Sequence, residues 1–174
     1  MSFTLVAGLL AAILLFWAVG AYNRLVRLRG VAMEAFTALD EQFLVYVALV
    51  HDKLVPQGAE VRPVLAGLIG ACAQFEAALK VARLKPLDVL GMRTLEAAHA
   101  ALQSAWTRLG TEPPDLAGAP LPDHLHQEWQ HIAQQVEPAR EAFVARVTAY
   151  NDAIGLFPAR LLARLMRLQP AHAF

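Results

Sequence analysis

Between Phe3 and Tyr22 the chain reads FTLVAGLLAAILLFWAVGAY, twenty residues without a charge. As a helix, such a run is about 30 Å long, the thickness of a bilayer's hydrocarbon core. Trp17 and Tyr22 stand toward its C-terminal end, where amphipathic rings favour the membrane interface. Arg24, Arg27 and Arg29 follow directly, and no acid appears before Glu34. This bias toward positive charge predicts an N-terminus outside and the remainder of the chain in the cytoplasm. A cleaved signal peptide is the rival reading, with Ala18-Val19-Gly20 as its small-residue cleavage site. It lacks a positively charged leader, and the apolar run is longer than such peptides carry. The expectation is therefore a transmembrane anchor over 1–22.

Composition narrows the remainder. The chain has 174 residues, a length that suits one domain, and 57% of them are hydrophobic. Charged residues make up 17%, below the roughly 25% of soluble domains. The 15 basic and 15 acidic residues balance, which argues against a nucleic-acid binder. Cys72 is the single cysteine, so an internal disulfide framework and a multi-cysteine metal site are both excluded.

Beyond residue 22 the apolar positions recur in three- and four-residue steps, the period of a helix buried on one face. Leu25, Leu28, Ala32, Ala35, Leu39, Tyr46 and Leu49 form the first stripe, stopped by Pro56 and Gly58. Gly30 is a weak point in it, costing about 1 kcal/mol relative to Ala. Leu65, Leu68, Cys72, Phe75, Leu79 and Ala82 form the second, after Pro63. Leu95, Ala98, Leu102, Trp106 and Leu109 form the third, after Pro86. A fourth runs from Trp129 through Ile132, Val136, Ala139, Phe143, Val147 and Tyr150 to Ile154, with Asp123 as its expected cap and Pro138 as an expected kink.

The fold class expected is all-α: an antiparallel up-down four-helix bundle over 23–156 that continues the transmembrane helix. Its helices lie at about 23–55, 62–84, 87–109 and 123–155, with a Pro- and Gly-rich loop over 110–122. A short basic amphipathic segment over 157–174 completes the chain. Such a topology returns that segment to the bilayer surface.

The residues YNRLVRLR at 22–29, with Glu34-Ala35 and Leu39-Asp40, and AYNDAIGLFPARLLARLMRLQPAHAF at 149–174 resemble the LemA family. The resemblance is carried by 22–50 and 139–174; across 56–122 it rests on the helical pattern and Ala82-Arg83. FLVYVALVHDKLV at 43–55 stands where the family has a polar, basic stretch. Where the family often repeats a Tyr-Asn pair, first after an Ala-Arg, Ala139-Arg140 is here followed by Phe143-Val144, and Tyr150-Asn151 is the pair that remains. The resemblance implies a bacterial protein with one transmembrane helix and a four-helix antiparallel bundle. It brings no established catalytic activity and no cofactor.

Three constellations bear on chemistry. Glu96-x-x-His99 and Glu128-x-x-His131, with Glu34 and Glu76, match in type the ligands of a ferritin-like di-metal bundle. At 100° per residue His99 falls within its apolar stripe, whereas His131 points about 130° away from the centre of its own, toward solvent. His124, His126 and His131 lack a suitably spaced further ligand for zinc, and read as surface residues. Arg160, Arg164 and Arg167, spaced i, i+4 and i+7 among Leu161, Leu162, Leu165 and Met166, have the composition of an interfacial helix. They are candidate lipid contacts, with leucines that cover the bundle's end as the alternative. Arg24, Arg27 and Arg29 need no role beyond orienting the membrane helix.

The expectation is thus a non-enzymatic, single-pass protein of the bacterial inner membrane, whose cytoplasmic bundle is a scaffold for protein partners, with neither cofactor nor nucleic acid. The bilayer itself is the other expected partner. A metal-binding bundle and an exported cell-envelope bundle are the alternatives.

Overall fold

The computed structural model describes residues 2–54, 63–111, 122–157 and 159–173. All regular structure among them is helical: α1 (Ser2–Lys53), α2 (Pro63–Leu84), α3 (Val89–Thr111), α4 (Asp123–Gly155) and α5 (Ala159–Leu165). Most of the expected 110–122 loop lies outside the described residues, and α3 takes in Gly110 and Thr111.

The apolar run and the first bundle stripe form one helix of 52 residues. Gly30 does not break it, because Leu25 and Ala32 on either side are buried and hold the backbone in register. Phe36, Phe43 and Val50 are buried alongside the expected stripe. In α2 the inward residues are Leu68, Cys72, Phe75, Leu79 and Ala82; in α3 they are Met92, Leu95, Leu102 and Trp106. The α4 stripe is buried from Leu125 to Ile154, with Ala139 half-buried. That helix runs unbroken through Pro138, an exposed position where the lost backbone bond faces solvent.

Ring contacts join the stripes. Phe36 of α1 meets Phe143 of α4 edge-on at 5.8 Å, and Phe43 meets Phe75 of α2 at 5.1 Å. Trp106 of α3 stacks on Trp129 of α4 at 4.1 Å and 4°. Tyr46 lies 4.4 Å from the same Trp129. Each such fully buried ring or leucine contributes about 1.5–3 kcal/mol through area removed from water. Ion pairs close the rim: Arg83 with Asp40 at 2.9 Å and Lys53 with Glu128 at 2.6 Å.

Two local expectations are corrected. Asp123 does not cap α4: Pro122 occupies the cap position and no side chain bonds the first turn. Asp123 sits one residue later, where its charge still favours the positive end of the helix dipole. The arginines of the last segment do not share one helical face, because α5 ends at Leu165 and Arg167 turns off it with φ 54°.

Candidate membrane-interface site

None of the α1 side chains from Leu5 to Arg24 is buried, and Leu25 is. Leu15 and Phe16 are 68% and 82% exposed, on a stretch long and apolar enough to cross a membrane. By length and composition α2 passes the same test, but it sends Leu68, Phe75 and Leu79 into the core, as a bundle helix does. Of these two helices, only the α1 segment is bare around its circumference among the described residues.

At the foot of that bare segment the chain turns from α4 into α5. Trp17, Gly20 and Arg24 of α1 face Ala153, Leu156 and Phe157 across a shallow cleft of about 370 Å³. Phe157 is 80% exposed, Leu161 60% and Leu165 80%, while Ala163 alone in α5 is buried. The leucines at 161 and 165 therefore do not cover the end of the bundle. Arg160 and Arg164 are exposed beside them. Exposed leucines beside exposed arginines are the composition that interfacial helices carry.

The C-terminal tail is folded back over this end by a clamp. The Asn151 side chain donates Nδ2–H to the Ala171 carbonyl at 2.9 Å and accepts the Ala171 N–H on Oδ1 at 2.8 Å. Tyr150 donates its hydroxyl proton to the Gln169 carbonyl at 3.3 Å. His172 then reaches Glu96 on α3 at 2.9 Å. Burial raises the affinity of the Tyr150 hydroxyl for its proton, and nearby Arg29 opposes the effect. The clamp was not expected from the periodicity, although Tyr150-Asn151 had stood out as a motif. Between α1, the α2–α3 turn and this tail lies a second cleft, of about 400 Å³, lined by Arg29, Lys85, Asp88 and Arg167. Arg27 is exposed on α1 between the two clefts' arginines, Arg24 and Arg29.

The di-metal residues are not brought together. Glu128 binds Lys53, Glu96 binds His172, and Glu76 binds Lys80 at 2.7 Å. Glu34 is exposed, and so is His131, which bonds Gln135 on its own helix. Among the described residues no three His, Cys, Asp or Glu side chains are placed to hold a metal ion. His126 lies against the Trp106 ring at 5.5 Å, and His124 is exposed.

His99 does turn inward, against the rings of Phe43, Tyr46 and Phe75 at 4.9, 6.0 and 5.6 Å. Burial there, with Arg140 adding to the effect and Glu137 opposing it, pushes its pKa down to about 4. The Gln103 amide donates to His99 Nε2 at 3.2 Å, which fits a neutral ring. Tyr46 is pushed up to about 12 by burial and by Glu137, and its buried hydroxyl has no hydrogen-bond partner among the described residues. Cys72, buried and free, is raised to about 11 by burial and by Glu76, as for a small core hydrophobe.

Against known sequences, the model of the LemA family matches residues 72–174, more than half of the chain. The chain belongs to the LemA family. No curated protein and no solved structure matches it. The match to the LemA family begins at Cys72 within α2 and takes in α3, α4, α5 and the clamped tail. The thin resemblance between residues 72 and 122 is thus inside the matched stretch, and 22–50 is outside it. Family membership and the bare N-terminal helix together suggest membrane association.

Proposed function

We propose that this LemA-family chain is a single-pass protein of the bacterial inner membrane and that its helices form an antiparallel up-down bundle. Contact order supports the bundle: Asp40 pairs with Arg83 and His51 with Glu76, while Phe36 meets Phe143 and Lys53 meets Glu128. Rising numbers on α1 meet falling numbers on α2 and α4, as neighbours in such a bundle do.

The observation that carries the reading is the bare apolar part of α1, which exposed Leu156 and Phe157 adjoin across the shallow cleft, with exposed Leu161 and Leu165 on the short helix that follows. Those side chains remain exposed in water, and a bilayer around α1 removes both groups from it at once. Arg24, Arg27 and Arg29 favour an N-terminus outside and a cytoplasmic bundle. Within the bundle the most displaced proton affinities, at Tyr46, Cys72 and His99, arise from burial in the core. That supports a non-catalytic scaffold, with the polar helix faces available to protein partners.

Alkaline extraction of membranes and protease digestion of a C-terminal tag in spheroplasts test this reading. Retention in the extracted pellet, an uncleaved N-terminus and a tag cut only after permeabilisation are the expected results. A tag cut in intact spheroplasts would reverse the orientation and make this an envelope-facing bundle.

A further inference from the structure

We infer that the cleft between Arg29, Lys85 and Arg167 takes the phosphodiester headgroup of an anionic phospholipid from the leaflet next to the bundle. The inference rests on the membrane reading above, since it needs α1 in a bilayer. Four observations bear on it.

The first is charge. Three cations and one acid line the cleft, and none of the three cations makes an ion pair among the described residues. The acid, Asp88, is already engaged: its Oδ2 accepts the Gly91 N–H at 2.9 Å, in the first turn of α3. A concave site with excess positive charge concentrates anions.

The second is depth. Arg29 lies seven residues beyond Tyr22, about 10 Å along the helix axis. The headgroup layer on each side of a bilayer is about 5–8 Å thick, and an arginine stem reaches back across the difference.

The third is a local rule that Arg167 breaks. Arg167 N–H bonds the Arg164 carbonyl at 3.3 Å and Leu168 N–H bonds the Ala163 carbonyl at 2.9 Å. That is a Schellman ending to α5, in which the residue with positive φ is normally glycine. An arginine with φ 54° holds the position at a cost in backbone strain, and its side chain lines the cleft. The Asn151 clamp on Ala171 anchors the tail that follows.

The fourth is the apolar lining. Met33, Leu84 and Met166 also line the cleft, and Leu84 is 82% exposed. Exposed cations and exposed apolar side chains around one cleft suit a lipid's phosphate and glycerol together, whereas free phosphate uses the cations alone.

The test uses the full chain in non-ionic detergent, with bound lipid counted by native mass spectrometry. The probes are dihexanoyl-phosphatidylglycerol, dihexanoyl-phosphatidylcholine and inorganic phosphate. One phosphatidylglycerol should bind about tenfold more tightly than phosphatidylcholine, the effect of one or two near-surface cations. Combining Arg29→Gln and Lys85→Gln should remove that preference, while Arg108→Gln, away from the cleft, should keep it. Arg167→Gly should weaken phosphatidylglycerol binding about threefold yet raise the melting temperature, so lost binding cannot be put down to misfolding. Equal binding of the two lipids, or an unchanged preference in the double variant, would overturn the proposal. Inorganic phosphate binding as tightly as phosphatidylglycerol would overturn its lipid source. Alkaline extraction of the same variants separates these failures from failure of the membrane reading: a headgroup site can fail in a chain that stays in the pellet.

Discussion

About 36 Å along α1 from Tyr22, Tyr46 meets Trp129, which in turn stacks on Trp106, and none of the three rings is exposed. Beside the apolar run, by contrast, Phe157 and Leu165 are each 80% exposed and the cations around them lack acidic partners among the described residues. Both regions are rich in apolar residues, but the α1 run is uncharged on every side, whereas the helices at the far end pair one apolar stripe with polar faces. They differ in what surrounds them: rings of α1, α3 and α4 against one another at one end, and at the other a surface that the described residues leave open. An apolar surface thus shows that something must cover it, and at this end none of the described residues does.

If the comparison is right, substitutions at the far end should act on stability. Trp129→Ala removes a ring that stacks on Trp106 and touches Tyr46, and should cost about 3–5 kcal/mol in thermal melts followed by helicity. A loss below about 1 kcal/mol would mean that this cluster is not the core it looks like.

Acidification should act at the same end. The pKa of His99 is lowered to about 4 in the fold, below the 6.5 of an unperturbed histidine. The fold therefore favours the neutral ring, and its contribution is present in full above pH 6.5. It is lost as pH falls toward 4, by at most about 3 kcal/mol. The melting temperature should drop between pH 7 and pH 5, where most carboxylates remain ionised. His99→Leu should flatten that slope; an unchanged slope would assign it to another group.

What the sequence made legible divides along the same line. Periodicity identified the inward faces, because burial of Leu39, Phe75, Leu102 and Phe143 depends only on steps of three and four within one helix. It identified His131 as outward and His99 as inward for the same reason. It missed whatever joins distant parts of the chain: the Asn151–Ala171 clamp spans twenty residues, and the basic cleft gathers positions 29, 85 and 167. The end of α5 was hidden differently. A Schellman turn usually advertises itself with glycine, and here Arg167 fills the position, so the i, i+4, i+7 spacing reads as one longer helix.

The clamp provides an intermediate case, since it lies near the open end yet is partly buried. Asn151→Ala leaves the Ala171 N–H and C=O without their partners, and should cost about 1–3 kcal/mol. The tail should also become sensitive to carboxypeptidase. Loss of stability without such sensitivity would mean that Asn151 matters only within α4.

The smallest effect on stability should come from the exposed leucines. Leu161→Cys or Leu165→Cys alters a side chain that the fold leaves open, so the melting temperature should move by no more than about 0.5 kcal/mol allows. Either new thiol can be labelled selectively, because Cys72 is buried and its pKa is raised to about 11. In reconstituted vesicles, a fluorophore at 161 or 165 should be quenched by brominated acyl chains. One at Gln103→Cys, exposed on α3 in the turn next to buried Trp106, should not. Absence of quenching at 165, in a chain whose α1 is retained in the bilayer, would mean that these leucines await a protein surface. The open end would then be a docking site for a partner, and the contrast between the two ends would stand with a different occupant.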